Sequence, residues 1–347
     1  PAAQPPAGVP AEIARELREV IVAWAAVPGH RGVSAAVALP NGAMWVDAAG
    51  LAGREEPLRP DHLLLIASIT KTMTGALILQ LVDEGVLRLE DPIGRWLAPR
   101  RNINPAITVR QLLNHTNGLA NYTGASALSA AIASDRSRVF TAEQLLTFVG
   151  PPRFAPGTDT EYTNTAFLLL GLMAEAATGR RLVDLYHQRL WDPLELDEIY
   201  LPGFEEPPGH VAETLAGSAI VWPLHRMADL TVGNSAAGLL SNARTIARWG
   251  QALFLDRVIS ADQQTAMRTL VDAAGNIPGE SGAGLGIRAY RYLDRMQFGH
   301  SGGSTMGSSL LLHDPDTGVT VAVIMNQGQG AEHFVLAPRL LEIATAR

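Results

Sequence analysis

The sequence has no cysteine, which excludes disulfide bonds, zinc–thiolate sites, iron–sulfur clusters and a cysteine nucleophile. It also lacks long apolar runs. The longest, residues 166–174, ends at Glu175, well short of the roughly 18 residues that a membrane span needs. Runs of basic residues are missing too, and 34 acidic against 27 basic side chains give a formal net charge of −7. Nucleic acid is therefore not expected as the main partner.

Lysine is nearly absent, because the 27 basic side chains are 26 arginines and the single Lys71. Wherever only positive charge matters, this chain uses arginine. Arginine does not release its proton in a protein, whereas a desolvated lysine does. The one lysine is therefore a candidate for chemistry that needs a removable proton.

The 347 residues, 47% of them apolar, are typical of a globular chain of about two domains. The chain begins at Pro1, and four of its first ten residues are proline. This start resembles that of a trimmed chain, either a mature protein behind a removed signal or a shortened version of a longer sequence. We therefore expect the protein to be exported to the periplasm or the cell exterior.

The N-terminal part predicts a helix, a β-hairpin and a second helix. Apolar residues at helical spacing predict an amphipathic helix over residues 10–26. Two β-compatible runs joined by an Asn-Gly turn predict a tight hairpin over 32–39 and 43–49. Residues 68–84 are apolar on nearly every face and stop at Gly85, which predicts a helix buried in a large core.

Strand-like runs return near the C-terminus, before a final predicted helix over residues 331–346. The predicted strands cover residues 285–292, 296–299, 305–313 and 319–326. Strands at both ends and helices between them predict an α+β fold. One antiparallel sheet is built from both chain ends, is flanked by helices and carries an inserted, mostly helical region. The predicted parts are a Pro-rich tail, the first part of an α/β domain, the helical region and the second part of the α/β domain, residues 1–9, 10–90, 91–227 and 228–347.

Two short motifs are candidates for a nucleophilic serine. One is Ser68-x-x-Lys71, and the other, residues 299–303, fits the G-x-S-x-G nucleophile elbow around Ser301. An elbow follows a strand, opens a helix and precedes its acid and its histidine. Here a strand-like run follows the motif, and only 44 residues remain, although His333 is a triad base on paper. The context favours the first motif.

Ser68 has a structural interpretation, as the N-cap of the apolar helix, and a catalytic one. Serine at a helix start commonly accepts a hydrogen bond from the first turn. A lysine in that turn is unfavourable, however, because the helix dipole disfavours a cation there. Three positions apart on a helix, the two side chains share a face with Cβ atoms roughly 5–6 Å apart, the spacing of a nucleophile and its proton acceptor. Ser68 and Lys71 are therefore predicted to be catalytic.

Three motifs stand in order along the chain: Ser68-x-x-Lys71, then Tyr162-x-Asn164, then a His-Ser-Gly motif that starts at His300. The supporting stretches are residues 112–119, 154–157 and 284–288. In this order and with these flanks, the sequence resembles the serine β-lactamase and penicillin-binding protein superfamily, in particular its class C β-lactamase and D-Ala-D-Ala carboxypeptidase branch. The resemblance covers the chain after its tail and implies a β-lactamase/transpeptidase-like fold.

The resemblance implies catalytic roles for four residues. Ser68 attacks a carbonyl to form an acyl-enzyme, and the backbone N–H groups of Ser68 and Gly303 form the oxyanion hole. Tyr162 is the partner base, with a packing aromatic as the alternative. Whether Lys71 or Tyr162 takes the first proton stays open, because the pair titrates as a coupled unit.

The resemblance also implies a substrate-binding set, namely Asn164, His300, Ser301, Gly302 and Arg288. Asn164 orients the substrate amide and the catalytic lysine, or caps the helix that follows it. His300 replaces the lysine of the K-T-G form, which removes a fixed cation. Arg288 matches the position from which the carboxypeptidase subgroup holds a C-terminal carboxylate, or is an ordinary surface arginine.

The implied activity is that of a serine acyl hydrolase of the D-Ala-D-Ala carboxypeptidase or β-lactamase type, on the strength of His300 and Arg288. The alternatives are an esterase or D-aminopeptidase of the same fold, an acyl transferase, and a penicillin-binding protein that acylates without turnover. The expected partner is a small-molecule or peptide substrate, such as a D-alanyl peptide, a β-lactam or an ester. No cofactor or metal is indicated, since the histidines lack ligand spacing and Asp314 and Asp316 are simpler as turn residues.

Overall fold

The computed structural model describes residues 8–208, 210–216, 219–272, 277–328 and 330–346, so residues 1–7 of the predicted Pro-rich tail lie outside it. The strands, in chain order, are β1 Gly32–Ala38, β2 Met44–Gly50, β3 Leu64–Leu65, β4 Ile199–Tyr200, β5 Thr214–Ala216, β6 Ala219–Val221, β7 Leu240–Ser241, β8 Glu280–Ala283, β9 Arg288–Tyr292, β10 Arg295–Gly303, β11 Ser308–His313 and β12 Thr320–Met325. The α-helices are α1 Ala11–Ala25, α2 Thr70–Asp83, α3 Val109–Leu113, α4 Ser126–Ser134, α5 Ala142–Leu146, α6 Thr165–Thr178, α7 Leu182–Tyr186, α8 Met227–Thr231, α9 Asn234–Ala237, α10 Ala243–Phe254, α11 Ala261–Met267 and α12 His333–Thr345.

The main sheet joins the two ends of the chain. Its seven strands lie in the order β2-β1-β12-β11-β10-β9-β8, and each neighbouring pair is antiparallel. The N-terminal hairpin meets the C-terminal strands where β1 pairs with β12, with Val33 opposite Met325 and Ala38 opposite Thr320. The predicted α+β fold, with one antiparallel sheet built from both chain ends, is confirmed.

Helices cover both faces of this sheet. Strand side chains alternate between the faces, so Ala36 and Ala38 of β1 enter the larger core while Val33, Ala35 and Val37 enter the smaller one. Helix α10 packs on the first face, and α1 and α12 pack on the second. The sheet thus separates two cores, and β1 contributes apolar side chains to both.

Helix α2 runs through the larger core. It is buried at eleven of its fourteen residues, which confirms the prediction of a buried helix. It ends next to Gly85, whose φ of +72° is left-handed backbone that glycine adopts without strain. Its start is later than predicted, because the residues Ala67–Ile69 form a separate 3₁₀ turn.

One C-terminal strand prediction was too long. Residues 285–292 were predicted as a single strand, but β9 begins only at Arg288. The residue two positions earlier, Gly286, has a φ of +80°, which is incompatible with an extended strand. The preceding strand β8 was not predicted, because its Ser-Gly-Ala sequence has little β propensity.

A second strand prediction was too short. The predicted strand over 296–299 continues in the structure as β10 to Gly303. The glycines in this segment gave no strand signal, but pairing with β11 places Gly302 opposite Ser309 and extends the ladder. The His-Ser-Gly motif therefore lies within a strand.

The middle of the chain is mostly helical, as predicted, and contributes α3 to α7 together with the short strands β4 to β6. The division of the chain at residues 90 and 227 stays a prediction. Within the described ranges, none of the helices combines the length and the apolar character that crossing a membrane requires.

Candidate active site

Ser68 lies in a tight turn between β3 and α2. The turn starts at Ala67, whose φ of +46° is a left-handed conformation that alanine adopts only when its surroundings hold it. The Thr70 hydroxyl donates to the Ala67 carbonyl oxygen at 2.7 Å and closes the turn. The Ser68 hydroxyl contacts the side chains of Lys71 and Tyr162 rather than the backbone of α2, so its role is not that of an N-cap.

Lys71 is fully buried and surrounded by oxygen atoms. Its Nζ lies 3.1 Å from Ser68 Oγ, 2.6 Å from Asn164 Oδ1 and 2.8 Å from the Ala236 carbonyl oxygen. Burial, together with the positive charge of Arg288, holds the pKa of Lys71 well below its usual range. The arrangement therefore favours a neutral amine next to the Ser68 hydroxyl.

Tyr162 approaches Ser68 from the segment before α6. Its hydroxyl donates to Ser68 Oγ at 2.7 Å. Lys71 Nζ and Arg288 Cζ each lie 4.7 Å from the centroid of its ring. Burial raises the pKa of Tyr162 to about 12, while the hydrogen bond to Ser68 and the charge of Arg288 act in the opposite direction. The raised pKa favours a protonated phenol in the resting site.

These contacts fit two arrangements of the same number of protons. In one, a neutral Lys71 amine accepts the Ser68 hydrogen and donates its own hydrogens to the amide and carbonyl oxygens, while Tyr162 donates to Ser68. In the other, Lys71 is an ammonium ion and Ser68 donates to a Tyr162 phenolate. The lowered pKa of the lysine and the raised pKa of the tyrosine both favour the first arrangement.

Asn164 connects α6 to α2. It lies at the N-terminal boundary of α6, and its Oδ1 accepts a hydrogen bond from Lys71 Nζ. Its backbone N–H donates to Asn121 Oδ1 at 3.3 Å. The side chain therefore binds the lysine, as the family resemblance implies, and does not cap α6.

His115 is a site residue that the motif analysis did not single out. The backbone N–H of Glu161 donates to its carbonyl oxygen at 3.1 Å, and the N–H of Thr163 donates to its Nδ1 at 3.3 Å. The two donors, Glu161 and Thr163, flank Tyr162 in the sequence. The rings of His115 and Tyr162 lie 4.6 Å apart. His115 thus holds Tyr162 from both sides. The available sequence signal was its place within the supporting stretch 112–119.

Strand β10 lies directly against the turn that carries Ser68. A Cβ atom on Gly302 would come within 2.2 Å of Ser309 Oγ and 2.4 Å of the Ile66 carbonyl oxygen, so this close approach requires glycine. A Cβ atom on Gly303 would meet open space. The end of β10 therefore borders the nucleophile turn with its backbone accessible, as a role of Gly303 in the oxyanion hole requires.

His300 and Ser301 lie next to each other on β10. His300 is buried, and its Nδ1 lies 2.6 Å from the Ser301 carbonyl oxygen, which only accepts, so the ring proton is assigned to Nδ1. Burial, with the positive charge of Arg288, holds the pKa of His300 well below its usual range. The histidine is neutral here. Ser301 lies within the strand and not at a strand-to-helix turn, so the nucleophile-elbow interpretation is wrong.

Arg288 is buried and not a surface arginine, with only 3% of its surface exposed. Its guanidinium lies over the Tyr162 ring and forms an ion pair with Glu280 of the neighbouring strand β8. Both residues, with His115 and Tyr162, line a cavity of about 810 Å³. This cavity reaches the Ser68 cluster at Tyr162, whose hydroxyl contacts Ser68 Oγ.

A second cavity, of about 600 Å³, lies apart from this cluster and is lined by Gln80, Arg189 and Ser260 among others. Its lining includes none of the predicted site residues. Over the part of the chain that the structure covers, no group of three or more histidine, aspartate and glutamate side chains is arranged to hold a metal ion.

The chain is similar to known proteins over most of its length. The Beta-lactamase family model matches residues 17–345. The chain is 33% identical over 177 residues to the esterase EstB of Burkholderia gladioli, and this match covers 47% of this chain and 45% of EstB. It is 27% identical over 300 residues to a D-aminopeptidase of Brucella anthropi, which covers 83% of this chain and 54% of that protein. The chain thus spans about half the length of these curated relatives.

Solved structures extend the similarity to the whole fold. The D-amino acid amidase from Ochrobactrum anthropi SV3, in complex with L-phenylalanine, superposes with a TM-score of 0.87 at 25% sequence identity. The match covers 96% of this chain and 99% of that chain.

Proposed function

The chain belongs to the Beta-lactamase family, whose members named above are serine hydrolases, and from this premise we propose that it forms an acyl-enzyme on Ser68. One observation carries the proposal. The hydroxyl of Ser68 receives two close contacts, from Lys71 Nζ at 3.1 Å and from the Tyr162 hydroxyl at 2.7 Å. A nucleophile flanked by a proton acceptor and a proton donor is the arrangement that acyl transfer needs.

In the proposed first step, Ser68 Oγ attacks the substrate carbonyl carbon and its proton passes to the neutral Lys71 amine. The negative charge on the carbonyl oxygen is stabilised by the backbone N–H groups of Ser68 and Gly303. The bond to the leaving group then breaks, and the leaving nitrogen or oxygen takes a proton from the Tyr162 hydroxyl. The Lys71 ammonium group then donates its extra proton to the Tyr162 oxygen. Water repeats these steps in reverse order to release the acid.

Two substrate classes fit this chemistry. The sequence motifs, with His300 and Arg288, favour a D-Ala-D-Ala carboxypeptidase or a β-lactamase. The names of the similar proteins favour an esterase, a D-aminopeptidase or a D-amino acid amidase. Both classes pass through the same acyl-enzyme, so the proposed role of Ser68 is common to them. A penicillin-binding protein that acylates without turnover is the third alternative.

Intact-mass spectrometry tests the proposal. The protein is incubated with a fluorophosphonate and, separately, with a penicillin, and the adduct is followed over time. We expect a fluorophosphonate adduct on the native chain and none on Ser68→Ala, whereas Ser301→Ala, which changes the other motif serine, keeps the label. A label that survives Ser68→Ala refutes the proposal.

The penicillin arm separates the alternatives. An adduct that disappears with time indicates β-lactamase turnover, and an adduct that persists indicates a penicillin-binding protein or a slow carboxypeptidase. A chain that reacts with the fluorophosphonate but not with penicillin indicates an ester- or amide-specific cavity.

A further inference from the structure

Arg288 finds its counter-ion within the chain. The Arg288 guanidinium pairs with the Glu280 carboxylate, and the two side chains are only 4% and 0% exposed. Pairing of β8 with β9 brings them together, since Glu280 lies opposite Tyr290, two positions along the strand from Arg288. Both residues line the cavity beside Tyr162. The cavity therefore contains a carboxylate that belongs to the protein at the place where the resemblance implies a substrate carboxylate.

A guanidinium binds one carboxylate well because its parallel N–H groups match the two carboxylate oxygens. The Glu280 carboxylate already lies against the Arg288 guanidinium, so the pair has no net charge, and a substrate carboxylate brought to Arg288 meets the negative charge of Glu280 at short range. Repulsion between like charges in a buried site is strong, because little water screens it. Arg288 in this state does not attract a second carboxylate.

The rest of the cavity wall also disfavours a substrate carboxylate. Arg288 is the one arginine among the described residues that line it, and lysine is absent from that lining. His115 is neutral, because burial with the nearby positive charge of Arg288 holds its pKa well below its usual range. Asp159 and Glu161 add two more carboxylates to the wall, and Glu161 also pairs with Arg153 at 3.3 Å.

We propose that Glu280 is a specificity-determining residue that occupies Arg288 and directs the site to amides and esters without a carboxylate on the leaving group. This inference rests on the proposed acyl-enzyme at Ser68. In the reaction, a bond forms between Ser68 Oγ and the acyl carbon while the C–N or C–O bond breaks. The Ser68 proton is balanced by the proton that the departing amine or alcohol receives. D-alanyl peptides that end in a free carboxylate are poor substrates of this site.

A matched substrate pair measures the preference. N-acetyl-D-Ala-D-Ala with a free carboxylate is compared with the same peptide ending in an amide. For the native chain we expect kcat/KM to be about tenfold or more higher for the amide, as expected for one unfavourable charge contact. In Glu280→Gln the uncompensated Arg288 attracts carboxylates, and we expect the ratio to shift about tenfold or more toward the free acid.

Two further variants control for net charge. Asp159→Asn removes a carboxylate from the same wall without releasing Arg288, and the substrate ratio is expected to stay within about threefold of the native value. The double variant Glu280→Gln/Arg288→Gln removes the attracting guanidinium as well and is expected to lose the shift toward the free acid. A ratio that changes equally in Asp159→Asn and Glu280→Gln overturns the role of Glu280.

Measurements on the native chain alone also test the inference, so it can be refuted even if Glu280→Gln does not fold. If native protein cleaves an ester but prefers the free-acid peptide over the amide, the inference is wrong and the acyl-enzyme proposal stands. If native protein cleaves neither peptide nor any ester and takes no fluorophosphonate label, both fail.

Discussion

Lys71 Nζ lies 2.6 Å from the side-chain oxygen of Asn164, a residue 93 positions further along the chain. The contact joins α2 to the start of α6 across the site, and Asn164 Oδ1 and the Ala236 carbonyl oxygen accept the two hydrogens of a neutral Lys71 amine. With both hydrogens donated and its lone pair facing the Ser68 hydroxyl, the buried amine is stable in the core without carrying a charge. That state is the one in which lysine accepts a proton, and several predictions depend on it.

Lys71→Arg separates charge from proton transfer. Arginine keeps the positive charge but does not release its proton, so we expect acylation by a reporter ester to slow by about 10²-fold or more. Stopped-flow measurement of the acylation burst, with thermal unfolding as the control for stability, checks this. Native acylation rates in a folded variant contradict the assignment of Lys71 as proton acceptor.

The acylation rate should follow the titration of Lys71. Only the free amine accepts a proton, so the rate rises with pH as the ammonium form is lost. Because burial lowers the pKa of Lys71, the rise should be complete well below 10.5, the value of an unperturbed lysine. The pKa of Tyr162, raised to about 12, keeps the phenol protonated over this range. A rate that keeps increasing up to pH 10.5 argues against a neutral lysine in the resting site.

Asn164→Asp should move this pH profile. A carboxylate 2.6 Å from Lys71 Nζ stabilises the ammonium form and raises the pKa of the lysine, so the midpoint of the profile is expected to rise by about one unit or more. Asn164→Leu, which removes the acceptor without adding charge, serves as the control and should not raise it. Identical midpoints in the native chain and Asn164→Asp would show that this contact does not affect the lysine.

His115 is a positioning residue for Tyr162, and two substitutions distinguish this role from simple packing. Asparagine keeps an acceptor for the Thr163 N–H and tolerates the φ of +65° at this position, whereas leucine does neither. We expect kcat of His115→Leu to be about tenfold below that of His115→Asn, with similar KM. Equal kcat values in the two folded variants would leave His115 with a packing role only.

Gly302→Ala and Gly303→Ala form a matched pair on β10. The added Cβ at Gly302 would come within 2.2 Å of Ser309 Oγ, whereas the one at Gly303 meets open space. Denaturant unfolding is expected to show a loss of about 1–3 kcal/mol for Gly302→Ala and little change for Gly303→Ala. Equal stability of the two variants contradicts the close packing of β10 on the Ser68 turn.

The fold was largely predictable because its main signals are local. The hairpin over 32–39 and 43–49 and the buried helix that ends at Gly85 follow from short-range patterns of apolar residues and turn residues. The errors occur where pairing overrides propensity. Strand β8 and the extension of β10 to Gly303 are held by their neighbours in the sheet, despite small residues that carry little β propensity on their own.

The sequence by itself determined the nucleophile motif, the order of the three motifs and the one basic residue able to give up a proton, because these depend on residue identity and spacing along the chain. The tertiary structure decided how those groups are charged and what they contact. The burial of Lys71, the support of Tyr162 by His115 and the pairing of Arg288 with Glu280 arise between segments distant in sequence or brought together by strand pairing. Electrostatic effects depend on distance and on exclusion of water, and only the folded chain sets both.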